Sequence, residues 1–353
     1  MKSLAKVWIM LCAAAISAAI LAGTAEAEDP VGVRQIVAPS TARGGDLEVT
    51  VWYPAQAGGT PVVLGESVFF QGTPALRDAP VAAGKFPLIL LSHGAGLAGN
   101  PQAVAWIATP LARQGFVVAA PTHPGNSGKN RSAAETMKIW MRPADLSATL
   151  DAMERDSFFK THLDPGQVGA LGLSMGGGTA LAIAGARIDP QRLAGYCDTD
   201  LRNASLCQWV RQSGVDLHTL DLQSAGRDNQ DRRIRFAMAI DPAPIDVFAF
   251  KSFSGISIPV ALVNLGQPGR IPATADASQA ARAIALARYA TITDASHFSM
   301  FAECKPGASE LAEAEEIGDP ICMDGGGRSR YEIHVQLIEM TAAAFRGALK
   351  TGP

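Results

Sequence analysis

The sequence predicts an α/β fold with a mostly parallel central sheet flanked by helices, on three observations. From Phe86 onward, strand-like runs alternate with helix-like segments, and the run FPLILLSHG (86–94) is continuously apolar up to its closing turn, as strands buried on both faces are. The runs GFVVAAP (115–121), VGALGL (168–173), IRFAMAID (234–241), ISIPVALVNLG (256–266) and RYATITDASH (288–297) repeat that plan. No Pro- or Ser-rich linker divides the alternation, so one domain with insertions is expected over 28–353.

The elements follow in order. LEVTVWY (47–53) alternates apolar with polar residues and stops at Pro54, which predicts a half-buried early antiparallel strand. Residues 55–85 are rich in Gly, Pro and Ala and read as loop, with VFF (68–70) as a short strand at most. Trp106 to Arg113 is helical in pattern and ends at Gly115; Arg142-Pro143 opens a second helix with Leu146, Leu150 and Met153 on one face. GGGTALAIAGA (176–186) reads as a helix packed closely on the sheet. Tyr331 to Leu349 closes the fold with Ile333, Leu337, Ile338, Met340, Ala344 and Phe345 at roughly helical period. Residues 187–233 break the rhythm, being polar, rich in Arg and Asp and bearing two cysteines, which suits a cap insertion.

Composition narrows the partners. The 353 residues are 48% hydrophobic with 35 Gly and 22 Pro, and carry 30 Lys+Arg against 33 Asp+Glu. A formal charge of −3 without a basic run argues against nucleic acid. Lys2 and Lys6, the apolar stretch from Val7 to Leu21 and the small-x-small site Ala25-Glu26-Ala27 predict a signal peptide over 1–27, cleaved before Glu28. The apolar run is short for a membrane span, and Cys12 lies too far inside it to serve a lipoprotein, so the expectation is a periplasmic or secreted product without a stable membrane anchor. Such a compartment favours disulfides for Cys197, Cys207, Cys304 and Cys322; their placement in two separate segments favours Cys197–Cys207 and Cys304–Cys322. No C-x-x-C or matching His spacing points to a metal, and no organic cofactor is implied.

The chemistry centres on Gly172-Leu173-Ser174-Met175-Gly176, a G-x-S-x-G between an expected strand and an expected helix. That turn is tight enough to demand glycine on either side of the serine and presents the hydroxyl above the sheet. A serine needs a base, and His297, after the last strand, is the candidate among six histidines. Asp241, ending the strand after the expected cap, is the candidate acid; the strand after that offers Asn264 and no carboxylate before Asp276, which stands as the alternative, with Asp294 third. Two backbone donors are needed for an oxyanion: Met175, and Ala95 in the loop Ser92-His93-Gly94-Ala95-Gly96. Leu97, Phe298 and Met300 are candidates to line an acyl pocket.

Through VTVWYPA, FPLILLSHGAG, ARQGFVVAAPTHPGNSG, VGALGLSMGG, AIDPAP and DASHF, the chain resembles the dienelactone-hydrolase-like and platelet-activating-factor-acetylhydrolase-like branch of the α/β-hydrolases. That resemblance implies the α/β-hydrolase fold, an acid after the strand that follows the elbow helix, hence Asp241, and esterase activity on small or lipid-like esters. Leu173 stands where acetylhydrolase relatives often have His, and the cap is longer. The expected function is therefore hydrolysis of small-molecule carboxylic esters, probed against a phospholipase A2- or acetylhydrolase-like lipid esterase, an amidase or peptidase, and a non-catalytic secreted binding protein on the same fold.

Overall fold

The computed structural model describes residues 29–126 and 131–349; the expected signal peptide at 1–27 lies outside the described residues. Ten strands form one sheet: β1 (Val31–Ser40), β2 (Gly45–Pro54), β3 (Thr60–Leu64), β4 (Thr73–Arg77), β5 (Phe86–Ser92), β6 (Val117–Pro121), β7 (Leu163–Leu173), β8 (Ile234–Ile240), β9 (Val260–Leu265) and β10 (Ala287–Ile292). Their order is β10-β9-β8-β7-β5-β6-β2-β1-β4-β3. From β10 to β6 every pairing is parallel. Beyond β6, β2 and then β1 add antiparallel, and a β4–β3 hairpin completes the edge.

The parallel half follows from its sequence. In β5, Leu88 and Leu90 face one core while Ile89 and Leu91 face the other, all of them buried, so an unbroken apolar run is what two covered faces require. The helices are α1 (Ala105–Arg113), α2 (Ala133–Met137), α3 (Arg142–Arg155), α4 (Met175–Ile183), α5 (Pro190–Ala194), α6 (Ala204–Gln212), α7 (Ser278–Ala283), α8 (Ala308–Ala314) and α9 (Arg330–Ala348). The side chains of α1 and α9 fill one face, with Ile107, Leu111, Ile333, Leu337 and Phe345 fully enclosed. Leu146, Leu150 and Met153 of α3 pack on the other face, beside Ala180 and Ile183 of α4. Ser329 and Glu332 form a reciprocal cap at the start of α9.

Two expectations are corrected. β2 is buried on both faces from Val49 to Tyr53 and is not half-buried, because β1, absent from the sequence reading, pairs along its free edge and helices cover both sides. The segment 55–85 holds β3 and β4, while Phe70 makes only an isolated bridge to Cys304. Residues 187–233 carry α5 and α6, and bury Leu193, Tyr196, Cys207, Val210 and Leu217 in one cluster with Met175 and Phe248. Disulfides join Cys197 to Cys207 and Cys304 to Cys322, the bonding an oxidising compartment produces. No described helix is long and apolar enough to cross a membrane.

Candidate active site

Ser174 occupies the turn between β7 and α4 at φ 54°, ψ −121°. Ser174, Asp241, Asp78 and Glu316 are the non-glycine residues with positive φ among the described residues, a conformation that costs an L-residue of the order of 1–3 kcal/mol. The neighbouring glycines make the turn possible. A Cβ on Gly172 would meet the Gly176 carbonyl oxygen at 1.8 Å, and one on Gly176 would meet the Ser92 oxygen at 1.9 Å. The strained turn is tied down by the Ser174 N–H to the Ile240 carbonyl at 3.0 Å and by the Ala243 N–H to the Ser174 carbonyl at 3.1 Å.

His297 begins a short 3-10 turn after β10, capped by Ser296 and Ser299 in a reciprocal pair. Its Nε2 lies 3.1 Å from Ser174 Oγ and its Nδ1 2.6 Å from Asp241 Oδ2. A carboxylate only accepts, so Nδ1 carries the proton toward Asp241 and Nε2 is free to accept from the serine. The His297 side chain keeps 34% of its exposure while Asp241 keeps 2%. Asp241 Oδ1 accepts from Asn264 Nδ2 at 2.7 Å and from the Leu265 N–H at 2.9 Å, which fixes the carboxylate plane. Asn264 in turn receives the Ala277 N–H and the Tyr289 hydroxyl on its Oδ1. The two alternative carboxylates are engaged elsewhere: Asp276 accepts from the Ser278 N–H at 2.9 Å, and Asp294 is held by Arg328.

The turn bearing His297 is gripped from behind. Trp106 Nε1 donates to the Met300 carbonyl at 2.9 Å, His334 Nε2 lies 2.9 Å from the Ser299 carbonyl oxygen, and the Trp106 and His334 rings stack at 3.7 Å. Burial pulls His334 down to about 4, so it is neutral at neutral pH. Ser299 Oγ donates to Asp324, which Arg330 also contacts, and Arg330 reaches the carbonyl of Ile321 beside the Cys304–Cys322 disulfide.

Met175 opens α4, so its amide is one of the donors a helix leaves without an intrahelical partner. Ala95 lies in the loop after β5 in extended conformation, and a Cβ on Gly94 beside it would lie 3.5 Å from Ser174 Cβ. Of the expected pocket residues, Leu97 is exposed and Phe298 sets its ring edge-on to His297 at 6.0 Å. Met300 is 6% exposed and belongs to the hydrophobic cluster that also holds Trp106 and Leu337.

The sequence reading missed a buried polar network beside the loop that follows β5. Ser92 Oγ lies 2.8 Å from His123 Nε2, and His123 Nδ1 lies 2.8 Å from Asp145 Oδ2, with all three residues enclosed. Arg43 bonds both Asp145 oxygens at 2.8 Å. Burial, with Arg142 beside it, lowers His123 to about 4; burial and His123 also hold His93 well below its ordinary value. Asp145 stays below the usual carboxylate range because hydrogen bonds from Arg43 and His123 outweigh its burial. A signal for this cluster existed: β5 and β6 are parallel neighbours, and each is followed at the same edge by a histidine, whose rings lie 4.8 Å apart.

Residues 69–155 match the family model described as platelet-activating factor acetylhydrolase, isoform II, a span that includes Ser92, Ala95, His123 and Asp145 and stops before Ser174. A ferulic acid esterase from Streptomyces cinnamoneus superposes with a TM-score of 0.61 at 18% identity, covering 93% of this chain and 92% of that one. The chain has the α/β-hydrolase fold. A Mycobacterium tuberculosis puromycin-hydrolyzing peptidase shares the fold with a TM-score of 0.50 at 13% identity, over 91% of this chain and 40% of the peptidase. A dienelactone hydrolase from Anabaena variabilis aligns at 14% identity and a TM-score of 0.49, over 90% and 99% of the two chains. No curated protein matches the sequence.

Proposed function

We propose that this α/β-hydrolase is a serine carboxylic ester hydrolase acting through an acyl-enzyme, with Ser174 as nucleophile, His297 as base and Asp241 as the acid that orients it. The observation that carries the reading is the continuous hydrogen-bonded chain from Ser174 through His297 to Asp241, set on a strained elbow beside a helix N-terminus. Ser174 Oγ attacks the ester carbonyl carbon as its proton passes to His297 Nε2. The carbonyl oxygen becomes an oxyanion held by the amides of Met175 and Ala95, each donor lowering the barrier by about 3 kcal/mol. His297 then protonates the departing alcohol, leaving the acyl group on Ser174. Water, deprotonated by the same imidazole, attacks the acyl carbon and releases the acid.

Short acyl groups are the favoured substrates. The likeness of residues 69–155 to the acetylhydrolase family supports the same size class. Export to the periplasm or beyond the cell is the setting the two disulfides support.

The deciding experiment measures hydrolysis of p-nitrophenyl esters from acetate to palmitate by the protein and by its Ser174→Ala variant. A rate greatest on acetate and abolished in the variant is expected. A long-chain optimum replaces the short-acyl half with a lipid esterase, and the absence of any Ser174-dependent rate overturns the proposal in favour of amide substrates or a binding role.

A further inference from the structure

The loop that presents Ala95 is held from behind by an enclosed guanidinium. Arg142, the first residue of α3, is 1% exposed. One of its terminal nitrogens donates to the His93 carbonyl at 2.8 Å; the other reaches the Gly94 carbonyl at 3.3 Å and Asn126 Oδ1 at 2.9 Å. These three acceptors are all neutral, while the nearby carboxylate of Asp145 is occupied by Arg43 and His123. Enclosing a cation costs several kcal/mol, and an apolar side chain at the start of a helix would avoid that cost. What the guanidinium gains here is control over two successive carbonyls.

A trans peptide is planar, with its C=O and N–H pointing to opposite sides. The Gly94 carbonyl and the Ala95 N–H belong to one peptide unit, so a carbonyl held toward Arg142 turns the Ala95 amide hydrogen the other way. His93 gives a second hold on the same oxygen. Its Nε2 accepts from the His123 N–H at 3.2 Å, which leaves the proton on Nδ1, 2.9 Å from the Gly94 carbonyl oxygen. The hold is needed because glycine at 94 imposes no Cβ restriction on rotation of that peptide.

We propose that Arg142 is a positioning residue of the oxyanion hole, fixing the Gly94–Ala95 peptide so that its N–H is directed at the oxygen of an acyl group on Ser174. The inference rests on the ester-hydrolase reading above. Arg142 touches no reacting atom; it acts through the peptide it holds. Because Arg spans several acceptors with a rigid fork, Lys replaces it only in part.

The test compares Arg142→Met and Arg142→Lys with the parent in two assays: steady-state hydrolysis of p-nitrophenyl acetate, and inhibition by an aryl trifluoromethyl ketone. The ketone adds to Ser174 Oγ, its carbonyl oxygen becoming an oxyanion as the serine proton moves to His297, so its affinity reports the hole without product release. Removing control of one oxyanion donor is expected to lower kcat about 100-fold. KM should stay within about threefold and ketone affinity should fall in parallel with kcat, with Arg142→Lys falling between Met and parent. If Arg142→Met fails to fold, Arg142→Lys decides by the same parallel loss. A folded variant that keeps both kcat and ketone affinity overturns the proposal, as does a kcat loss with unchanged ketone affinity. A parent without Ser174-dependent activity overturns the ester-hydrolase reading and this inference together, whereas an active parent with unimpaired Arg142 variants overturns the inference alone.

Discussion

The molecule holds two Ser–His–Asp chains, one open to solvent and one sealed. In the open one, Ser174, His297 and Asp241 are linked at 3.1 and 2.6 Å; in the sealed one, Ser92, His123 and Asp145 are linked at 2.8 Å twice. Hydrogen-bond geometry alone does not distinguish them. Surroundings do: His297 keeps a third of its side-chain exposure and Ser174 sits on a positive-φ elbow at a helix start, whereas His123 is fully enclosed and Ser92 ends an ordinary strand. The acids differ as well. Asp241 is fixed by neutral donors, Asn264 and a backbone N–H, while Asp145 faces the Arg43 guanidinium. A carboxylate committed to a neighbouring cation stabilises an imidazolium less, so the sealed chain suits structure and the open one suits proton transfer.

The contrast is sharpest in the serines. Ser174→Ala is expected to remove activity by about 10,000-fold or more, as loss of an activated nucleophile does. Ser92→Ala should leave kcat within about threefold and lower stability by about 1–3 kcal/mol, because His123 Nε2 loses its enclosed partner. Ester kinetics and urea melts of both variants check this; equal rate losses would erase the distinction between the two chains.

The acids give the next largest effect. Asp241→Asn presents an amide where His297 Nδ1 needs an acceptor and is expected to cut kcat by about 10,000-fold with the fold intact. Asp145→Asn leaves the enclosed Arg43 side chain with only the Glu135 carboxylate, 3.7 Å away, and should cost about 3 kcal/mol, with kcat per folded molecule within about tenfold. A stability loss in the first variant and a rate loss in the second would reverse the assignment.

How far each site was legible in the sequence follows from the range of the forces that make it. The elbow was readable because Gly172, Ser174 and Gly176 obey sterics acting within five residues. Strands β5 to β9 were readable because burial on both faces gives each a run of consecutive apolar residues, with Ser92, Asp164, Gln167, Arg235 and Asn264 lying toward the strand ends. β1 was not: VGVRQIVAPS mixes charge with apolar residues, since only part of it faces a core, and the burial of β2 from Val49 to Tyr53 goes with that unread hairpin partner. The sealed chain was least legible. Arg142 and Asp145 read as the polar first turn of a helix, and their burial arises only when the ends of β5 and β6 and the Arg43 turn close over them.

The smallest expected effect is on pH, and it separates the sealed chain from the open one without any substitution. His123 and His334 are held near 4 by burial, and His93 is lowered too, so in the folded state they stay neutral while the unfolded chain takes up protons below about 6.5. The stability they contribute is therefore complete above about 6.5 and is lost as pH falls from there toward 4, by up to about 3 kcal/mol for each independent group. Asp145, lowered in the folded state, adds a further loss only below its ordinary value near 3.8. Thermal melts of Ser174→Ala, in which the open chain is already broken, should show Tm falling by about 5 °C or more between pH 7.5 and pH 5. An unchanged Tm over that interval would mean that the enclosed histidines gain compensating partners on protonation, and that the sealed chain is as accessible to protons as the open one.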